Sequence, residues 1–389
     1  RFDTVVRASW QATTALSVDW RSYRSFYEKK ETQTTPLWKA LGYSSQSASA
    51  ALSGNGDVAI WGHDLTTRWK PNAQHQLLAG VERRDENRTA AFFDSTGKMS
   101  SKNQDFTAVY AQHEWQVTPA LGIVYGARHD RVSIGDEATS GSVGANYRFS
   151  DLAKWRASYS QGFRTPDMQE LFINRFNPQG RRFVGAEVVD ASIGKQAFSL
   201  KPERSQNMEM GLSGKGQGWN YDLALFHNTI QDSIQRITTP TYLSFRNESE
   251  VTLHGLDAKL GVDVTPKLRI NTAYTWLNSN SKTTDQRLQY TPEQLASVSA
   301  VFKPTQAWRL TAMAQYVGEQ DYTDTRVNPQ IGKTTDSYTP VHFKASYMPT
   351  SMKDTELFGG VDNVFDAKLN RAIGYNVGPY TYIGVRQFF

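Results

Sequence analysis

The chain has 389 residues, no cysteine, 39% hydrophobic and 12% aromatic side chains, and a formal net charge of +5. The missing cysteine excludes disulfides and thiolate metal sites; the mild, dispersed charge gives no footprint for a nucleic acid. No run approaches the length of about 18 apolar residues that a membrane-spanning helix needs, and no composition shift marks the two or three domains implied for a water-soluble chain of this size.

The chain opens on Arg1-Phe2-Asp3, already inside a repeating pattern and without a signal peptide, so an N-terminal part is expected to lie outside it. The pattern is alternation. Strands are expected over 3–11, 14–29, 56–70, 75–92, 104–117, 120–134, 138–149, 153–163, 201–213, 218–236, 241–264, 266–280, 289–303, 307–321, 336–349, 353–363 and 378–389. Side chains of a strand point alternately to its two faces. In Leu268 to Trp276 one face reads Leu, Ile, Thr, Tyr, Trp and the other Arg, Asn, Ala, Thr; Trp308 to Tyr316 repeats the scheme. Tyr274, Trp276, Trp308 and Leu310 are therefore expected on an apolar, lipid-facing side, and Arg269, Asn271, Arg309 and Gln315 on a wet one.

Connections between the strands fall into two alternating classes. Short turns are expected near 71–73, 118–119, 214–217, 265–267 and 304–306, all at one end. Long loops cover roughly 30–55, 93–103, 163–200, 281–289, 322–335 and 364–377, where Gly, Pro and Asn gather. Short turns at one end and long loops at the other is the pattern of an outer-membrane barrel. A soluble sandwich or propeller would show the same alternation. The tryptophans near strand ends (Trp155, Trp219, Trp276, Trp308) and the polar mid-strand face favour the membrane.

Several segments resemble TonB-dependent outer-membrane receptors. They are Tyr110 to Trp115 with Gly126 to Asp130, Ser160 to Phe172, Leu200 to Ser205, Asp362 to Asp366, and the terminal Tyr382 to Phe389. Their order and spacing hold over about 280 residues. The resemblance implies an all-β, antiparallel, up-and-down transmembrane barrel of the 22-stranded type in the bacterial outer membrane. The seventeen runs would then be its sixth to last strands. The plug domain, the TonB-contacting segment and about five strands are not found. The loop after residue 163 takes the place of the family's seventh extracellular loop, and the terminal strand ending in Phe389 that of a signal for the barrel-assembly machinery.

No nucleophile or metalloprotease motif is present, so no enzyme activity is expected, and no cofactor or resident metal. All seven histidines lie in expected strands rather than loops, and the seventh loop lacks the motif of haem receptors, which lowers a haem reading. Asp130 with Asp136, and Asp362 with Asp366, are carboxylate pairs read as hydrogen-bonding groups rather than a hard-metal site. The binding candidates are Arg175, Arg181 and Arg182 with Phe172 and Phe176, because guanidinium groups pair with the oxygen donors of anionic chelates and aromatic faces stack on their rings. Arg164 and Glu170 are expected to fold the loop. The resemblance thus implies TonB-energised uptake of a ferric siderophore or similar chelate, with haem or cobalamin uptake, or a passive channel, as alternatives.

Overall fold

A computed structural model describes residues 1–30, 54–134, 137–176, 181–247, 250–282, 284–324, 331–352, 354–370, 374 and 378–388. Most of the expected 30–55 loop, Asp136 and Phe389 lie outside the described residues. In chain order the strands are β1 (Phe2–Gln11), β2 (Leu16–Lys29), β3 (Gly56–Trp69), β4 (His75–Ala90), β5 (Ser100–Gln116), β6 (Leu121–Val132), β7 (Ala138–Arg148), β8 (Lys154–Arg164), β9 (Asn174–Phe176), β10 (Arg182–Val184), β11 (Glu203–Gly216) and β12 (Trp219–Gln231). They continue as β13 (Ile234–Thr238), β14 (Tyr242–Asn247), β15 (Glu250–Thr265), β16 (Leu268–Ser281), β17 (Gln294–Phe302), β18 (Trp308–Val317), β19 (Gln320–Asp324), β20 (Ile331–Thr335), β21 (Val341–Tyr347), β22 (Thr355–Asp362) and β23 (Tyr380–Gln387). Seventeen belong to one large sheet, which matches the expected runs in number. The other six are short: β9, β10, β13 and β14 make a four-stranded sheet, and β19 pairs with β20.

Internal contacts divide the chain into two compact units. The first comprises Arg1–Ala145, Tyr159–Gln206 and Ile230–Glu250. Here β1 to β6 pair in chain order, each antiparallel to the next. Backbone hydrogen bonds from Lys70 to Ala15 and from Gln116 to Gln74 join the successive short turns, which places the turns near 71–73 and 118–119 at one end of this unit.

The second unit comprises Asn146–Ser158, Asn207–Thr229 and Val251–Phe389. The order β15, β16, β17, β18, β21, β22, β23 is again antiparallel throughout. Its turns are joined in the same way, by Lys215 to Asp151, Asp263 to Gly218, Lys303 to Lys267 and Met348 to Ala307. The expected 214–217 turn moves by about two residues. The strand runs on to Gly216, and the chain reverses at Gln217-Gly218, where Gly218 takes a φ of +78° that a side chain would resist.

The register assigns the faces as the alternation predicted. In the second unit Phe302 lies opposite Leu268 and Leu310, Ala296 opposite Tyr274 and Tyr316, and Trp308 opposite Tyr347. This apolar side is exposed: Ile383 shows 89% of its surface, against a typical core value near zero. The other side is polar. Arg269 donates to Asp263 at 2.8 Å and Asn271 at 3.0 Å, and Arg156 to Glu209 and Asp222, each at 2.8 Å.

In the first unit the apolar band includes Leu77, Ala79, Val81, Val109, Ala111 and Trp115. Along β4 and β5 toward the long loops the same face becomes charged, with Arg83 against Asp85 at 2.6 Å and Asp105 at 3.3 Å. A bilayer needs only about 9–11 residues of strand, so these strands continue past the apolar band. On the polar side Arg128 pairs with Glu82 and Asp130, both at 2.9 Å. The Tyr110 ring lies across Gly80, where an added Cβ would collide with it.

Several boundaries differ from expectation, by up to five residues at the starts of β17 and β21, and three differences are larger. The 218–236 run is β12 plus β13, broken at Asp232 with φ +53°. The 241–264 run is β14 plus β15. The expected 322–335 loop holds the β19–β20 hairpin. In each case short strands leave the large sheet and pair in a smaller one.

The faces can be read directly. A bilayer-confined probe should label Val298→Cys and spare Ser297→Cys, and Val298→Arg should cost about 2–4 kcal/mol while Ser297→Arg is mild. Labelling of Ser297→Cys alone would mean a register slipped by one residue.

Candidate functional site

The seventh-loop segment is a packed lid rather than an open loop. Strand β8 ends at Arg164, and a five-residue helix, Met168–Phe172, follows. Asp167 starts it with a capping box: its side chain accepts from the Glu170 N–H, and the Glu170 carboxylate accepts from the Asp167 N–H, each at 2.8 Å. Arg164 then holds two carboxylates at once. It donates to Glu170 at 3.0 and 3.1 Å and to Glu203 at 2.7 and 2.9 Å. Glu203 also accepts from the Ile234 N–H at 2.7 Å. One guanidinium thus ties the exit of β8, the start of β11 and the entry of β13 together, as expected for Arg164 and Glu170.

Above this clamp the lid has its own core. Met168, Ile173 and Phe183 pack with Phe92 and Phe93 from the loop after β4, and with Leu243 and Phe245 on β14. Leu171, Ala186, Leu200 and Ile234 form a second cluster. Strand β10 joins β9 antiparallel and β14 parallel, so two loops share one small sheet. The Lys195 ammonium is buried and donates to the carbonyls of Ala186 at 2.8 Å, Val188 at 3.1 Å and Gln196. Burial pushes its pKa below the ordinary lysine value.

The structure brings four of the five candidates to one hairpin. Arg175 sits on β9, with its guanidinium 5.9 Å from the Phe183 ring centroid. Arg182 on β10 pairs with Asp190 at 2.8 Å and lies 4.8 Å over Phe176. Arg181 precedes it and is partly exposed, and Phe176 is 40% exposed. Residues 177–180, between them, lie outside the described residues. Phe172 instead turns toward the lid core, with the Lys102 ammonium 4.6 Å from its ring. Sequence reasoning missed Phe92, Phe93, Asp190, Lys195 and the β14 residues. The Ala91-Phe92-Phe93 run was the available signal, being an apolar cluster at the mouth of an expected loop.

The histidines lie in strands, as expected. His75 and His113 share a hydrogen bond at 3.0 Å, and His113 another with Tyr125 at 2.8 Å. Asp130 is held by Arg128, Asp362 by His342 at 3.0 Å and Asp366 by Lys368. Among the described residues no group of three or more His, Cys, Asp or Glu side chains is placed to hold a metal ion.

Two outcomes follow. Arg164→Ala leaves two mostly covered carboxylates facing each other, at a cost of about 2 kcal/mol, which should raise amide exchange in the lid by roughly thirtyfold. Exchange rates like those of the native protein would show that the clamp is dispensable. The second outcome concerns pH. The Ser192 hydrogen bond, then Arg182, hold the Asp190 carboxyl below its ordinary 3.8. A depressed carboxylate stabilises the fold above the unfolded value, and that stabilisation is lost as pH falls through the folded value. The β9–β10 amides should therefore open as the pH drops below about 4, after correction for intrinsic exchange, and Asp190→Asn should remove that step.

Comparison with known proteins agrees with this geometry. The family described as TonB dependent receptor-like, beta-barrel, matches residues 2–364. The chain is 24% identical over 328 residues to the iron-regulated outer membrane virulence protein of Vibrio cholerae, covering 78% of this chain and 47% of that one. It is 23% identical over 330 residues to the ferrienterobactin receptor of Escherichia coli, covering 79% and 43%. Among solved structures, the copper transporter OprC superposes with a TM-score of 0.75 at 16% identity, covering 99% of this chain and 64% of that one. The chain spans about half the length of the curated relatives it matches. It belongs to the TonB-dependent receptor β-barrel family of the bacterial outer membrane.

Proposed function

We propose that this chain is the larger part of the barrel of a receptor that captures a ferric siderophore or similar metal chelate and imports it across the outer membrane. The observation that carries the reading is the β9–β10 hairpin, which gathers Arg175, Arg181, Arg182 and Phe176 on a packed lid at the long-loop end. Cations beside an aromatic face suit an anionic chelate with aromatic donors. Arg182 and Phe172 support the hairpin from within, through Asp190 and the lid core. The names of the two curated relatives, one iron-regulated and one a ferrienterobactin receptor, support the same ligand class.

In the proposed working receptor a plug and the first strands precede Arg1, and TonB acts through that N-terminal region. Translating the DNA upstream of Arg1 tests this: a plug sequence with a TonB-contacting segment is expected, and a signal peptide running straight into strands would support a passive channel. Lipid covers the apolar face, and the barrel-assembly machinery reads the terminal strand that ends in Phe389.

The ligand test uses the full-length receptor and a ferric tris-catecholate. Replacing Arg175, Arg181 and Arg182 together by Ala should weaken binding while the gel mobility of the folded barrel is kept. Charge-assisted contacts contribute roughly 1.5–3 kcal/mol each when desolvated and about 0.2–1 kcal/mol at a wet rim. Direct binding at two salt concentrations separates these cases. Arg175→Ala with Arg181→Ala alone tests contact without disturbing the Asp190 pair. Unchanged affinity in both folded variants would remove these arginines from the site.

A further inference from the structure

On the polar face the arginines of the large sheet are usually matched by carboxylates. Arg128 has Glu82 and Asp130, Arg156 has Glu209 and Asp222, and Arg164 has Glu170 and Glu203. One place in the second unit breaks this rule. At its turn end, β18, β21, β22 and β23 enclose a cavity of about 420 Å³ lined by Lys303, Arg309, Lys344 and Arg386, with Glu356 the one carboxylate among the lining residues.

The register puts this cavity on the polar side. Arg309 lies opposite Ser346, Thr311 opposite Lys344, and Glu356 opposite Arg386. Glu356 is buried and is already bonded to Arg386 at 2.8 Å. Lys344 and Arg386 both approach the Phe358 ring, at 4.8 and 5.6 Å from its centroid. Among the described residues neither the Arg309 guanidinium nor the Lys303 ammonium has a hydrogen bond or a close ion pair, and Arg309 and Lys344 share with Arg386 the single opposing charge of Glu356. Like charges gathered in one cavity repel each other, and a bound anion relieves that repulsion. The side chains offer the forked donors and point charges that oxyanions take.

We propose that this cavity is a binding site for a small multivalent oxyanion of the phosphate or polycarboxylate class. Short turns in this kind of barrel face the periplasm and the polar side faces the lumen, so the site lies at the periplasmic end of these strands. It shares no residue with the β9–β10 hairpin and does not depend on which chelate that hairpin takes.

The probe is inorganic pyrophosphate, titrated calorimetrically into purified full-length receptor at low ionic strength without divalent cations. Saturable binding is expected, weakening with salt as exposed charge pairs do. Arg309→Gln with Lys344→Gln should weaken it roughly tenfold. Glu356→Gln, which removes the one negative charge and keeps the shape, should tighten it. Lys267→Gln, in a neighbouring turn outside the cavity, should leave it unchanged. Heat-modifiable gel mobility establishes that each variant is folded. Absence of saturable binding, an unaffected double variant, or an equal loss in Lys267→Gln would each overturn the site, the last by reducing it to general electrostatics.

Discussion

A peptide group inside a bilayer finds no water, so each strand must satisfy its backbone in a neighbouring strand. That one requirement organises the molecule. It fixes antiparallel neighbours in chain order in each unit, which in turn allows turns as short as Pro266-Lys267. It also fixes the register, and a register with a period of two commits every side chain to lipid or to water. The apolar face of β16 to β18 and the ion pairs of Arg156 and Arg269 are two consequences of the same ladder.

The lid obeys a different rule. Its backbone cannot rely on a long ladder, so side chains hold it. Arg164 reaches a carboxylate 39 residues away in sequence, and the Lys195 ammonium satisfies carbonyls that no strand covers. The lid core draws on Phe92 and Phe93 from one loop, Phe183 from another and Phe245 from a third. An element built this way is held by side-chain packing and charge pairs, and through Arg164 it is tied to the ends of β8 and β11.

These two rules explain what could be read in advance. Seventeen long strands, their faces and the alternation of short and long connections were legible, because alternation and turn residues are local signals. The loop strands were not. Tyr242 to Phe245 alternates like the strand that follows it, and only the lid packing separates β14 from β15. The gathering of Arg175, Arg181, Arg182 and Phe176 was legible as a cationic, aromatic stretch of one loop. That Phe172 turns inward and that Asp190 neutralises Arg182 depends on long-range folding, which spacing does not encode.

The β9–β10 hairpin carries arginine and phenylalanine at the long-loop end of strands whose other face is polar. On the proposed reading, such an arrangement suits an anionic ferric siderophore with aromatic donors better than a neutral corrinoid. The most direct measurement is equilibrium binding of purified full-length receptor to a panel of ferric tris-catecholate, ferric hydroxamate, cobalamin and haem at low and moderate salt. The account predicts that the anionic ferric tris-catecholate binds most tightly, with an affinity that falls as salt rises. Tightest binding of cobalamin or haem would contradict it.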